Sequence, residues 1–280
     1  MENQTVLAAT TWRDAEASFS GKQGDTITIR TDTVVGEARV FNRAANVPIV
    51  VDDVKEVGVD VKLTTYLYKG INLPDEQLTL HIRDFTQQIA TPQAKSVARG
   101  VESMVAGNMN ALSSTLTLKA DGSDVHAVMI EARRRLNKAG VPLEDRFFAV
   151  SPEVEAMLLN DLKNRLIPVD VSGSPAALRD AIVGRLYGFT VFPTNYLSDG
   201  SATAYHRTAF PLVTRALEVP AGATFGETLV YNGFALRLIR DYDPGFQQDR
   251  SVVSTLAGAE VTKDDGVIKR ALRITTAVTP

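Results

Sequence analysis

The chain carries three histidines, His81, His126 and His206, and no cysteine. Disulfides, thiolate metal sites and cysteine nucleophiles are therefore excluded. No histidine has a second ligand-type residue at a metal spacing such as HxxxH, and Asp124, two residues before His126, does not make one. A serine hydrolase of the elbow type needs GxSxG, which is missing; "SGSP" and "DGSA" come nearest and read as turns. Neither phosphate-cradling glycine pattern, GxxxxGKS/T or GxGxxG, occurs. Paired carboxylates stand in "VDDV", "RDYD" and "KDDG". Such pairs can hold a cation or divide acid and base roles. Here Arg240 beside Asp241 and Asp243 points to local charge balance, and "KDDG" reads as a turn. The basic cluster "EARRRLNK" holds Arg133, Arg134, Arg135 and Lys138, which spread around a helix as a solvated face. The expected site assignment is thus no catalytic residue, no cofactor and no metal.

The bulk of the chain explains what these residues sit in. It has 280 residues, 44% hydrophobic and 22% charged, the composition of a globular protein with room for one large domain or two ordinary ones. The formal net charge of −3 argues against a dedicated nucleic-acid binder, which usually carries a basic excess. No apolar run approaches the ~18 residues needed to span a bilayer, and the start lacks the basic-then-apolar pattern of a secretory signal.

Several elements are legible. "GDTITIRTDTVV" alternates Ile27 and Ile29 with polar residues, a strand signature. "VGVDVKLTTYLYK" resumes alternation at Val57, Val59, Val61 and Leu63. Together they predict a hairpin with a long excursion, and such excursions are usually functional. Residues 82–110 predict one long kinked helix, of about 28 residues and ~40 Å, or two abutting helices. Phe85 and Ile89 form its stripe before Pro92; Ala94, Val97, Val101, Met104 and Val105 continue it afterwards. The expected break is at Thr91–Pro92, because an internal proline removes a hydrogen bond and clashes with the preceding turn. From residue 122 short helices and strands alternate. "SDVHAVMIEARRRLNKAG" ends on Gly140 as a C-cap, and "SPEVEAMLLNDL" and "SPAALRDAIVGRLYG" open on Ser151–Pro152 and Ser174–Pro175, the latter stopping at Gly188. Strands follow in "FTVFPTN", "TAYHRTAFPLVTRALEV", "ETLVYNGFALRLIRDYD" and "VIKRALRITTAV". The class is α+β. Projecting elements without chemistry predict self-association.

In order and spacing these pieces resemble the major capsid proteins of tailed bacteriophages, the Hong Kong 97-type fold, closest to the podovirus coat-like branch. The resemblance covers roughly residues 20–275. It rests on "GDTITIRTDTVV" as the strand leading into the E-loop and "LTLHIRDFTQQIATPQAKSVARGVESMV" as the spine helix. "GRLYGFTVFPTNYL" matches a strand of the axial domain, and "ALRLIRDYDPGFQQDRSVVSTLAGAEV" the returning peripheral strands.

The resemblance implies an N-terminal arm at 1–23, an E-loop hairpin at 24–63, a peripheral domain at 64–121 and 234–280, and an axial domain at 122–233. It implies hexamers and pentamers that close an icosahedral shell around double-stranded DNA, held without sequence-specific contacts. A portal is the further partner it implies, together with a separate scaffolding protein or none. The location is the virion, with assembly in the host cytoplasm and no membrane. Expected interface residues are Glu37, Arg39, Phe41, Arg43, Asp52 and Lys55 in the E-loop. On the spine helix they are Arg83, Phe85, Pro92, Val97 and Val101. On the returning strand they are Arg240, Asp241, Tyr242 and Asp243. The arm is short for the family, which leaves open whether the native chain starts upstream of Met1. Two rivals stand beside this reading: an encapsulin-like shell around protein cargo, and a small-oligomer α+β hydrolase or binding protein.

Overall fold

The computed structural model describes residues 6–13, 26–30, 38–40, 48, 51, 58–80, 84–164, 184–231, 233–264 and 266–277. A short helix α1 (Leu7–Thr10) precedes strands β1 (Thr26–Arg30) and β2 (Gly58–Lys62). These two pair antiparallel, Thr26 opposite Lys62 and Arg30 opposite Gly58, so the expected hairpin forms. Its excursion, 31–57, lies mostly outside the described residues. Strand β3 (Thr65–Pro74) continues the same alternation but leaves the hairpin for a second sheet, and helix α2 (Asp75–Leu80) follows it.

That sheet has five strands. Strands β10 (Phe225–Tyr231), β11 (Phe234–Asp243), β12 (Gln248–Ala259) and β3 follow in order, and β9 (Leu212–Arg215) pairs the far end of β12. Helix α3 (Thr91–Ala111) lies on one face. Its buried residues Ala94, Val97, Ala98, Val101, Val105, Ala106 and Met109 fall on one stripe, as helical spacing dictates. They meet Leu236, Leu238, Val253 and Ala257 from the sheet.

The break before α3 is a π-helical turn, Thr86–Ala90, preceded by Phe85. The Thr91 amide donates to the Thr86 carbonyl, five residues back. Pro92 therefore stands in the first turn of α3, exposed, where a missing N–H is tolerated. The position of the break agrees with the sequence. Its physical form differs: the extra residue of the π turn absorbs the register change.

The third sheet has six strands in the order β4 (Ser114–Leu118), β13 (Ala271–Thr276), β8 (Ser201–His206), β5 (Arg146–Val150), β7 (Phe189–Pro193) and β6 (Gly184–Leu186). Helices α4 (Val125–Lys138) and α5 (Pro152–Asn164) cover it. Their core joins Met129, Ala132, Leu136 and Leu158 to Phe148, Phe189 and Val191.

Strands β4 and β13, expected with the peripheral segments, hydrogen-bond into the sheet of β5 and β8. Strand β10, expected with the axial block, pairs β11 of the five-stranded sheet. Gly233, at φ 78°, lies in the short connection between these two strands. Gly188 is also corrected. It does not cap a helix; Tyr187 (φ 50°) and Gly188 (φ 83°) form the two-residue turn that joins β6 to β7. Gly140, at φ 73°, does follow the end of α4 as expected. Ser151 precedes α5, but its buried hydroxyl has no hydrogen-bond partner among the described residues.

The two ends of α3 are tied to different sheets. At its start the Gln93 amide donates to the carbonyls of Lys69 (3.0 Å) and Ser251 (2.9 Å) and accepts from the Ser251 hydroxyl (2.8 Å). At its end the Arg273 guanidinium, from β13, donates to the Asn110 and Leu112 carbonyls, the place where a cation satisfies orphan acceptors. The helix is a strut between the two sheets. Among the described residues, no helix is long and apolar enough to cross a membrane.

Candidate assembly surface

Strand alternation puts Arg240 and Tyr242 on the face of β11 that looks toward the start of the long helix, while Asp241 and Asp243 point the other way. The Arg240 guanidinium lies over the Phe85 ring, 4.7 Å from its centroid, and its Nε donates to Asp249 Oδ2 at 2.6 Å. Tyr242 donates to Asp75 Oδ2 at 3.1 Å. Beyond Arg240 a cleft of about 690 Å³ opens between the π turn and the β10–β11 hairpin. Phe85, Ala94, Leu229, Tyr231 and Leu238 give it an apolar floor, and Glu227 and Asp249 an acidic rim.

The opposite face is polar. Asp241 accepts from the Thr224 amide at 2.7 Å, which lowers its pKa. Asp243 accepts from Arg250 (3.1 Å), and Arg250 also reaches Asn72 (3.3 Å). "RDYD" therefore does not balance its own charges as expected. Arg240 finds Asp249 and Asp243 finds Arg250, both across the strand pair, because adjacent residues face opposite ways.

A buried carboxyl receives the start of α1, and Trp12 adds backbone hydrogen bonds with Phe210 and Leu212. Glu102, in the middle of α3 and 1% exposed, accepts the amides of Leu7 (Oε2, 2.9 Å) and Ala8 (Oε1, 2.9 Å), the first turn of α1. Free amides at a helix start suit a carboxylate. Burial nonetheless pushes the Glu102 carboxyl up to about 7, against the lowering by those two amides and by Arg13. Thr10 and Tyr205 share a 2.5 Å hydroxyl contact beside it.

The other candidates for chemistry resolve into packing. His126 sits edge-on to Tyr187 at 5.5 Å between ring centres. His206 Nδ1 caps the turn at Thr208, and burial lowers its pKa. Asp264 accepts both ends of the Arg270 fork, at 2.7 and 2.9 Å. Glu131 binds Arg134 and Arg135 on the exposed face of α4, so the basic cluster is a solvated face as expected. Among the described residues no cluster of histidines and carboxylates could hold a metal ion.

The model of the family described as phage capsid protein matches residues 56–268. The chain belongs to the phage capsid protein family. Structures agree at the level of fold. The chain is similar to a structure from Mycobacterium phage Che8, with TM-score 0.68 and 21% identity over 97% of this chain and 91% of that one. It is similar to the capsid structure of the cyanophage P-SCSP1u, with TM-score 0.63 and 12% identity over 96% and 86%. A virus-like particle from Pyrococcus furiosus shares the fold at TM-score 0.51 and 12% identity, over 98% and 97%. No curated protein matches the sequence. The fold is the Hong Kong 97-type, and the protein is a major capsid protein that builds the icosahedral shell of a virion.

In this capsid subunit the cleft brings together Phe85, Arg240 and Tyr242 from the expected set, and Asp241 lines its edge although its strand position faces the other way. Val97 and Val101 are buried beneath α3, in the subunit's own core. Pro92 and Arg39 are exposed. Glu37, Phe41, Arg43, Asp52, Lys55, Arg83 and His81 lie outside the described residues. Sequence reasoning missed Gln93, Glu102 and Asp249. A signal for Glu102 existed: Ala94, Ala98 and Ala106 form a row spaced by four, and Glu102 fills its gap with a carboxylate.

Proposed function

We propose that the subunit assembles into hexamers and pentamers through its E-loop and the Phe85–Arg240 cleft, and that the closed shell holds packaged double-stranded DNA. The observation that carries this is the two-stranded root, β1 with β2, from which residues 31–57 depart, on a subunit whose cleft is apolar and open. In this reading Glu37, Arg39, Phe41, Arg43, Asp52 and Lys55 meet a neighbouring subunit. Rim charges there set register and partner choice more than affinity. The peripheral part is built around the five-stranded sheet and the axial part around the six-stranded one.

A net charge of −3 suits a wall that must not immobilise DNA by releasing its counterions. Assembly takes place in the host cytoplasm, with a portal and a separate scaffolding protein as partners. Function is spread over interfaces, without a catalytic residue.

Negative-stain imaging of the purified, assembled protein tests the proposal, together with analysis of the contents. Closed shells containing DNA are the expected result. Shells holding only protein cargo would favour the encapsulin-like alternative, which the likeness to the Pyrococcus furiosus particle keeps in view. A monodisperse small oligomer would overturn both.

A further inference from the structure

We propose that strand β10 joins neighbouring capsomers: its free edge pairs antiparallel with the β10 edge of a second copy, about a two-fold axis at Thr228, and fuses the two five-stranded sheets. The proposal rests on the assembly into hexamers and pentamers given above.

A sheet edge is a template for another strand, and folded proteins blunt theirs. The edges at β6, β4 and β3 are blunted. Strand β6 has only three residues. On β4 the Thr115 carbonyl is taken by Arg135 at 2.9 Å. Strand β3 carries Lys69 and ends on Pro74. Strand β10 has seven residues with no proline, lysine or arginine, and Glu227 is its sole charge. It ends the five-stranded sheet, and among the described residues no backbone group bonds its outer side.

The phase of the ladder decides which groups are free. The Asp75 amide donates to the Gln247 carbonyl, so the odd-numbered residues of β12 bond β3 and the even-numbered ones bond β11. Carried across β11, this alternation turns the N–H and C=O groups of Gly226, Thr228 and Val230 outward.

Centred on Thr228, two such edges use the whole strand. Thr228 meets Thr228 and Gly226 meets Val230, each pair exchanging both backbone bonds. On the cleft face Phe225 then lies opposite Tyr231, and Glu227 opposite Leu229. Aromatic and threonine pairs stabilise a sheet, and like charges directly opposite weaken it. Centred one residue earlier, Glu227 would oppose itself. On the other face the exposed Val230 side chain meets Gly226, which has none, beside Val219.

Symmetry places the contact. Contacts around a ring of five or six are head-to-tail, whereas a two-fold contact uses one patch on both partners. The β10 pair therefore lies between capsomers, where an icosahedral shell has its two-fold axes.

Hydrogen exchange of the full-length protein, free and in purified particles, is the primary measurement. In particles the amides of Gly226, Thr228 and Val230 should slow by on the order of tenfold or more. The chain has no cysteine, so Thr228→Cys introduces a single thiol. Mild oxidation of its particles should give disulfide-linked dimers, since the opposed Cα atoms stand about 5.5 Å apart. Val230→Cys, exposed but opposite Gly226, would lie about 13 Å along the strand from its own copy and should stay unlinked. Thr228→Pro should keep the subunit fold, because that N–H bonds nothing within the subunit, and should stop assembly at free capsomers. Closed particles whose three amides exchange as fast as in free subunits would overturn the β10 contact and leave assembly through the E-loop standing. Closed shells from Thr228→Pro would do the same. Dimers from Val230→Cys with none from Thr228→Cys would overturn the register. Wild-type protein that forms neither capsomers nor shells would overturn the assembly reading itself, and this contact with it.

Discussion

The guanidinium of Arg240 is stacked on the ring of Phe85 and hydrogen-bonded to Asp249, so one arginine joins the π turn, β11 and β12 at the mouth of the cleft. Buried aromatic and arginine anchors dominate most interfaces. Phe85→Ala and Arg240→Ala should therefore abolish assembly and leave the subunit folded. The expected products are soluble capsomers or monomers with native circular dichroism, seen by analytical sedimentation. Full particle yield from both variants would remove the cleft from the interface.

Gln93 should matter more to folding than its neighbour Pro92. It is 1% exposed and satisfies two carbonyls and one hydroxyl of the sheet. Gln93→Ala removes these contacts and leaves the buried Ser251 hydroxyl without its Gln93 partner, at a cost of about 1–3 kcal/mol. Urea unfolding should show a lowered midpoint with an unchanged slope.

What was legible in the sequence and what was not follows from range. The β1–β2 pair and the stripe of α3 are local periodicities, and both were readable from Ile27, Ile29, Val97 and Val101. Strand β13 was also readable as a strand, yet its sheet could not be read. Its partners Ser114–Leu118 and Ser201–Tyr205 are distant in sequence, and alternation names a face, not a neighbour. In the cleft, Arg240 and Tyr242 were visible as a charged-aromatic strand. Asp249 and Asp75 were not, because strand register selects the first and the helix that follows β3 places the second.

Pro92→Ala should leave stability within about 0.5 kcal/mol, since an exposed first-turn proline breaks no bond of α3. Its effect should appear in assembly. Relaxing the π turn at Thr86–Ala90 into α register would turn Phe85 about the helix axis and away from Arg240. Electron microscopy should show sheets, tubes or misshapen shells. Normal closed particles at unchanged yield would argue that the turn does not set curvature.

Gly258 marks the place where β12 passes under the corner between β2 and β3. A Cβ there would stand 2.1 Å from the Lys62 carbonyl oxygen, a backbone atom that cannot swing away. Gly258→Ala should therefore push the hairpin root off the sheet and cost about 1–3 kcal/mol. Protease cleavage within 31–57 should accelerate relative to the wild type. Unchanged cleavage and unchanged stability would mean that the root tolerates the shift.

The remaining expectation concerns turnover. A catalytic site needs a nucleophile, base or metal held against its partner in a pocket. In this subunit the candidate groups are bound to structural partners. His206 caps a turn through Thr208, Asp264 holds Arg270, Asp243 holds Arg250 and Asp241 holds the Thr224 amide. The cleft at Arg240 has an apolar floor, and Asp249 already carries its arginine. Alanine variants of His81, His126 and His206 should assemble into particles, and purified wild-type particles should show no hydrolysis of ester, phosphate or peptide substrates above background. A histidine variant that forms normal shells yet loses a turnover measured in the wild type would place an enzyme inside the capsid subunit. It would also show that the arrangement around His126 or His206 does more than hold the six-stranded sheet together.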